Sequence, residues 1–133
     1  MGRPRKPTRI KELAGTLQKC RTNPAEPVLR AGRPAAPGWL SPAAAAIFEA
    51  TCDDMARRQT LAVEWRDVIA DYSIAEADVH TCSAILAAEG ETFMAGGQIR
   101  PRPEVAQRSV AATLAHRLRA ELGLGPVAAG KTG

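Results

Sequence analysis

At 133 residues, the chain has room for at most one compact domain plus tails. Aromatic residues are only 4% of the chain (Phe48, Phe93, Tyr72, Trp39 and Trp65). A core must therefore be built from Ala, Leu, Ile and Val, which suits closely packed helices, and no apolar run reaches the length of a membrane span. The net charge of +4 divides into +7 over residues 1–33, −7 over 34–99 and +4 over 100–133, an acidic body between two basic ends, as expected of a chain that meets a polyanion at its ends and something else along its middle.

Residues 1–38 read as a basic, proline-rich arm, largely extended. Prolines at 4, 7, 24, 27, 34 and 37 each remove a backbone donor and fix φ, so regular helix is interrupted repeatedly. One short helix is expected from Thr8 to Leu17, with Ile10, Leu13 and Leu17 on one face. The remainder reads as a strap lying on the body or on a neighbour. Gly2-Arg3-Pro4 has the slim, extended form of a minor-groove hook, and Gly32-Arg33-Pro34 repeats it. The plainer reading is a basic tail that aids solubility. With Arg5, Lys6, Arg9 and Lys11 close by, phosphate contact is the expectation, and Arg3 is the best minor-groove candidate.

The folded part is expected over residues 39–123. Ser41 is a good N-cap, Pro42 a good first helical residue, and Leu40 can staple back over the first turn. A helix from Pro42 to Arg58 should bury Ile47, Phe48, Thr51, Cys52 and Met55, with Ala44 beside them. Gln59-Thr60 then makes a short connection, so the next helix should return as the second arm of an antiparallel hairpin. That second helix, Val63 to Glu89, is the axis of the protein. Trp65, Val68, Tyr72, Ala75, Val79, Cys82 and Leu86 recur at spacings of three and four, and Ile69 and Ile85 widen the stripe. If continuous, it is about 40 Å long at ~1.5 Å per residue and needs partners along its length. Ser73-Ile74-Ala75-Glu76 resembles a capping box, which would break it, but the stripe keeps its phase across Ser73 and favours one continuous helix.

Gly90 should stop this helix. Two short β-like runs around Ala95-Gly96-Gly97 then suggest a hairpin near residues 92–100, too small to stand alone in water. A third helix is expected from about Pro103 to Leu122, with Val110, Leu114, Leu118 and Leu122 on one face. Gly123 should end it, with residues 124–133 a flexible tail. The fold class is thus all-α: an antiparallel helical hairpin with a long central helix, a small β-hairpin and a third helix.

Catalytic patterns are missing from the sequence. Cys20, Cys52 and Cys82 have neither CxxC nor Cys-His spacing and read as reduced thiols of a cytosolic protein. His80 and His116 lie far apart. Gly130-Lys131-Thr132 lacks the strand and first glycine of a phosphate loop. Asp53, Asp54, Asp67, Asp71 and Asp78 are scattered by helical position and read as a solvated face, not as a two-metal site. The expectation is a protein that is not an enzyme and needs neither metal nor cofactor.

One ordered set of features resembles a known family. It comprises Gly2-Arg3-Pro4 with Lys6-Pro7-Thr8, a strap with Asn23 and Glu26-Pro27, and Pro37-Gly38-Trp39-Leu40 before a capped helix. A long central helix with Asp67 and Tyr72 follows, then Gly90, a glycine-centred hairpin, a proline-led third helix and Glu121-Leu122-Gly123-Leu124 near Pro126. Together these are similar to the small terminase subunit of tailed bacteriophages and prophages, of the cohesive-end packaging type. The central helix departs from that pattern in being alanine-rich and short of aromatics, and the C-terminal tail is short.

The resemblance implies a noncatalytic packaging factor in the host bacterial cytoplasm. It would assemble as a homo-oligomeric ring, bind double-stranded viral DNA at the packaging site and present it to the large terminase subunit, which carries the ATPase and nuclease. Combined with the charge pattern, DNA contacts are expected from Arg3, Arg5, Lys6, Arg9 and Lys11, with Arg100, Arg102 and Arg108 as a second patch. Core and oligomer contacts are expected from Trp65, Val68, Tyr72, Val79, Leu86, Leu114 and Leu118. Two other readings compete: a scaffold or adaptor that stimulates the large subunit with little DNA specificity, and a small helix-turn-helix regulator. The acidic helix after Gln59-Thr60 is unsuited to a major groove and disfavours the last.

Overall fold

The computed structural model describes residues 29–126. The proposed arm contacts Arg3, Arg5, Lys6, Arg9 and Lys11, the short helix Thr8–Leu17 and the tail beyond residue 126 lie outside the described residues. The described part is mostly helical. Three helices, α1 (Pro42–Arg57), α2 (Arg66–Glu89) and α3 (Pro103–Glu121), accompany one antiparallel pair of strands, β1 (Thr92–Ala95) and β2 (Gln98–Pro101).

Helix α1 starts where its capping chemistry predicts. The Ser41 hydroxyl oxygen accepts from the Ala44 amide at 3.2 Å, and Pro42 occupies the first turn. Its buried face is Ala44, Phe48, Thr51, Cys52 and Met55, and Ile47 is half-buried beside them. The helix ends on Gln59, which holds a left-handed φ of 59°. The Gln59 amide donates to the Ala56 carbonyl and the Thr60 amide to the Met55 carbonyl, the paired bonds of a Schellman turn. Glycine is the usual residue there, so a glutamine gives no local cue to the turn.

The connection to α2 is longer than Gln59-Thr60 alone, and the long helix begins at Arg66, not at Val63. Ala62 is extended (φ −143°, ψ 154°) and forms an antiparallel bridge with Ala31, while the Val63 amide donates to the Arg30 carbonyl at 3.1 Å. The incoming strap thus holds Ala62 in strand geometry, and Val63–Trp65 forms only a 3-10 turn. From Arg66 the helix is continuous to Glu89. Ser73 does not cap: it is fully buried, and its hydroxyl donates to the Ile69 carbonyl at 2.7 Å.

Helix α2 is buried on more than the predicted stripe. Tyr72, Ala75, Cys82, Leu86 and the flanking Ile69 are buried as expected, but so are Ala70, Ser73 and Ala77, whereas Trp65, Val68 and Val79 are half-exposed. The cause is that α2 lies between two partners, α1 and α3, so small residues off the main stripe are covered as well. The Cys82 thiol meets Gln107 at 4.0 Å, and Arg119 Nη1 donates to the Tyr72 hydroxyl at 3.2 Å, so α3 runs antiparallel to α2. The β-hairpin makes that reversal. It pairs Phe93 with Arg100 and Met94 with Ile99, around Gly96 and Gly97. Both glycines have positive φ (58° and 78°), as a two-residue primed turn requires.

Helix α3 closes on a second Schellman turn. Gly123 (φ 75°) donates to the Ala120 carbonyl and Leu124 to the Arg119 carbonyl. The motif carries Leu124 into the core, where only 3% of it is exposed. Packing therefore reaches past residue 123, into what the sequence assigns to the tail. Ala115, Leu118 and Leu122 are also buried and Leu114 half-buried. Val110 departs from the expected packing face and is 70% exposed, because α2 covers only one flank of α3 there. Among the described residues, no helix is long and apolar enough to cross a membrane.

Candidate functional site

Residues 29–41 run beside α1 and the start of α2, fastened at several points. Arg30 donates from Nε to Glu64 Oε1 at 2.9 Å and from its amide to Glu64 Oε2 at 3.1 Å. The Arg30 guanidinium holds the Glu64 carboxyl below its ordinary range. Arg33 reaches two carboxylates of α1, hydrogen-bonding Glu49 through Nη2 and Asp53 through Nη1, the latter at 2.7 Å. These bonds, Glu49 first, raise the affinity of the Arg33 guanidinium for its proton above its already high ordinary value. Arg66 donates to the Ala35 carbonyl at 3.3 Å, and Pro34 and Pro37 are buried. The second Gly-Arg-Pro is thus an internal clamp: Arg33 faces α1, and Gly32 passes Val63 so closely that an added Cβ would sit 3.1 Å from its methyl.

The second basic patch surrounds the base of the hairpin. Arg102 Nη1 lies 3.1 Å from Glu89 Oε2, with its guanidinium 5.7 Å from the centre of the Phe93 ring. Arg108 Nη2 lies 3.7 Å from Glu91 Oε1. Arg100 is exposed, and its Nη2 donates to Gln98 Oε1 of its own strand at 3.4 Å. The three arginines thus lie on β2, at the N-cap of α3 and in its second turn. Two of them share their charge with carboxylates at the end of α2.

A third surface was not singled out by the sequence. On the flank of the α2–α3 pair runs an open groove of about 810 Å³, lined by Ile74, Ile85, Val110 and Leu114 among others. Asp71, Asp78, Glu104 and Arg117 border it. Glu104 Oε2 is a buried atom with no hydrogen-bond partner among the described residues. Alternation of apolar positions on both α2 and α3 could have pointed to the groove, but which positions face it depends on how the two helices pair. Of the expected core and oligomer contacts, Tyr72, Leu86 and Leu118 are buried within the chain, and Trp65, Val68, Val79 and Leu114 are partly open.

The remaining reactive groups are structural in setting. Cys52 is fully buried, and burial pushes its thiol pKa up, away from reactivity. His80 pairs with Glu76 of its own helix at 3.2 Å, and His116 is exposed. Among the described residues, no group of three or more His, Cys, Asp or Glu side chains could hold a metal ion.

Comparison with known proteins adds one finding. A family model described as phage terminase, small subunit, matches residues 44–133. That span holds all three helices from the first turn of α1 onward, the hairpin and the C-terminal segment. No curated protein and no solved structure matches the chain.

Proposed function

The chain belongs to the phage terminase small-subunit family, which gives it a part in phage DNA packaging, and we propose that this part is noncatalytic: binding viral double-stranded DNA at the packaging site and presenting it to the large terminase subunit. Family membership over residues 44–133 is the observation that carries the reading. The charge order supports it, since a basic arm of +7 precedes an acidic body of −7. In this reading Arg3, Arg5, Lys6, Arg9 and Lys11 contact phosphates, with Arg3 in a minor groove, and Arg100, Arg102 and Arg108 add a second patch. A homo-oligomeric ring multiplies weak arms into useful affinity, and the acidic body faces the large subunit. The work takes place in the host bacterial cytoplasm.

Deleting residues 2–11 tests the DNA role. The expected result is weaker binding with a shallower dependence on salt, because five of the cations that displace counterions are gone. Unchanged affinity and slope would remove the arm from the mechanism.

One observation favours the adaptor reading as the alternative. Arg102 and Arg108 are already paired with Glu89 and Glu91, which leaves less charge free at the second patch. A variant that loses DNA binding but stimulates the large subunit's ATPase normally would select the adaptor.

A further inference from the structure

The α2–α3 groove has an apolar lining and a mostly acidic border. Ile74, Ile85 and Leu114 are half-buried along it, and Val110 is 70% exposed. Asp71 and Asp78 stand exposed on the α2 rim, Glu104 lies on the α3 side, and Arg117 is the one cation among the described residues that line it. The register of the two helices orders these charges. Arg119 meets Tyr72 near one end and Gln107 meets Cys82 toward the other, so Arg117 sits at the Asp71 end and Glu104 at the Ile85 end. A complementary occupant is apolar on one side, with cations beside that face directed toward Asp78 and Glu104.

The chain carries such a segment outside the described residues. Between Thr8 and Leu17, the apolar positions Ile10, Leu13, Ala14 and Leu17 recur at helical spacing. At ~100° per residue, Arg9 and Lys11 fall on either side of that stripe and Glu12 falls opposite it. A helical occupant of this sequence turns its apolar face to the groove and its two cations to the rims, with Glu12 toward water. Gly15 weakens the helix in isolation, so burial of the stripe is what orders it.

The tether has the length this requires. Arg30 is fixed to Glu64 and Ala31 to Ala62, close to the start of α2. Ile85, at the far end of the groove, lies roughly 30 Å up the helix from Arg66 at ~1.5 Å per residue. Residues 18–28 span at most about 35–40 Å when extended, and Pro24 and Pro27 favour extended backbone. Leu17 therefore reaches the Asp71 end, and residues 8–17 as a helix ~15 Å long carry Arg9 and Lys11 on toward Asp78 and Glu104. A short tether also gives an effective concentration of about millimolar, so at micromolar protein the chain's own arm outcompetes a neighbour's.

We propose that residues 8–17 dock as an amphipathic helix in the α2–α3 groove of their own chain, with Ile10, Leu13 and Leu17 on its apolar lining and Arg9 and Lys11 at its acidic border. Docking and phosphate contact use the same two cations, so a docked arm is withheld from a polyanion until one displaces the other. Only that consequence rests on the packaging reading above; the contact itself does not.

Two measurements on the full chain test the contact. The first is cleavage after Lys11 by a lysine-specific protease, with cleavage after Lys131 as the internal control. Val110→Glu puts a charge in the groove at an exposed position, and Leu13→Glu puts one on the arm without altering the folded body. Each should speed cleavage after Lys11 by at least roughly tenfold and leave Lys131 unchanged, because cleavage follows the population of the undocked form. Thermal unfolding verifies that Val110→Glu stays folded, and unchanged cleavage after Lys11 overturns the proposal. The second measurement places a photo-crosslinking side chain at Leu13 in a mixture of isotope-labelled and unlabelled chains. Crosslinks to the groove-lining segments of α2 or α3 within chains of a single isotope are the expected result. Crosslinks that mix isotopes would give the groove to another copy's arm, and crosslinks elsewhere would give it to a different occupant; either contradicts the contact. Neither readout involves DNA, so a failure here leaves the packaging reading standing, and a docked arm in a chain that never binds DNA would overturn the packaging reading alone.

Discussion

The two flanks of α2 differ in how far they are finished. On the α1 side, Phe48, Cys52, Met55 and Ile69 are fully buried, and the strap is fastened alongside by Arg30, Arg33 and Arg66. On the α3 side, Leu118 and Ala115 are covered, but Val110 is open and a groove runs past Ile74 and Ile85. The first flank is a core that a single chain completes. The second leaves an apolar groove uncovered among the described residues. The lesson is that one long apolar stripe can be covered fully on one flank and only in part on the other, which burial shows and periodicity does not.

The sharpest way to break this comparison is to cut each flank in turn. Phe48→Ala should destabilise the chain by about 3–5 kcal/mol in urea unfolding, because a large fully buried side chain leaves a cavity. Val110→Ala should stay within about 0.5 kcal/mol for the unassembled chain, since the side chain is mostly in solvent. Equal losses would mean that the two flanks do not differ as described.

A mid-sized effect is expected at the end of α1. Gln59→Gly should stabilise by about 1 kcal/mol, because glycine adopts the left-handed conformation without the steric cost a side chain carries there. A lower melting temperature would place the strain elsewhere.

The smallest predicted effect is local and depends on pH. The folded-state pKa of Glu64 lies below its unfolded value because Arg30 binds the ionised form. Its contribution is therefore complete above the usual carboxylate range and is lost as pH falls through the lowered folded value. Hydrogen exchange at the Val63 amide, which donates to the Arg30 carbonyl, should lose protection selectively in that acid window. Protection independent of pH would leave the strap held by its backbone bridge and buried prolines alone.

Much of the helical framework was legible because its chemistry is local. Ser41-Pro42 starts a helix, Gly96-Gly97 turns a hairpin, and Gly123 ends a helix, each for reasons contained in a few neighbouring residues. What escaped depends on distant parts of the chain. Ala62 is extended because Ala31 pairs with it, about thirty positions away, and the Val63 amide bonds the Arg30 carbonyl beside it. At Ser73 the unbroken stripe rightly favours a continuous helix over a cap; only its bond back to the Ile69 carbonyl is new. The exposure of Val110 and the groove itself follow from how α2 and α3 are paired, which their separate periodicities do not contain. The second Gly-Arg-Pro shows the same limit: an exposed hook and an internal clamp share one tripeptide, and Glu49 and Asp53 decide between them.

The central proposal is that this family member works as a homo-oligomer. The native mass of the purified full chain at micromolar concentration tests it most directly. A closed oligomer larger than a dimer is the predicted result. A strict monomer, both alone and with double-stranded DNA added, would contradict it.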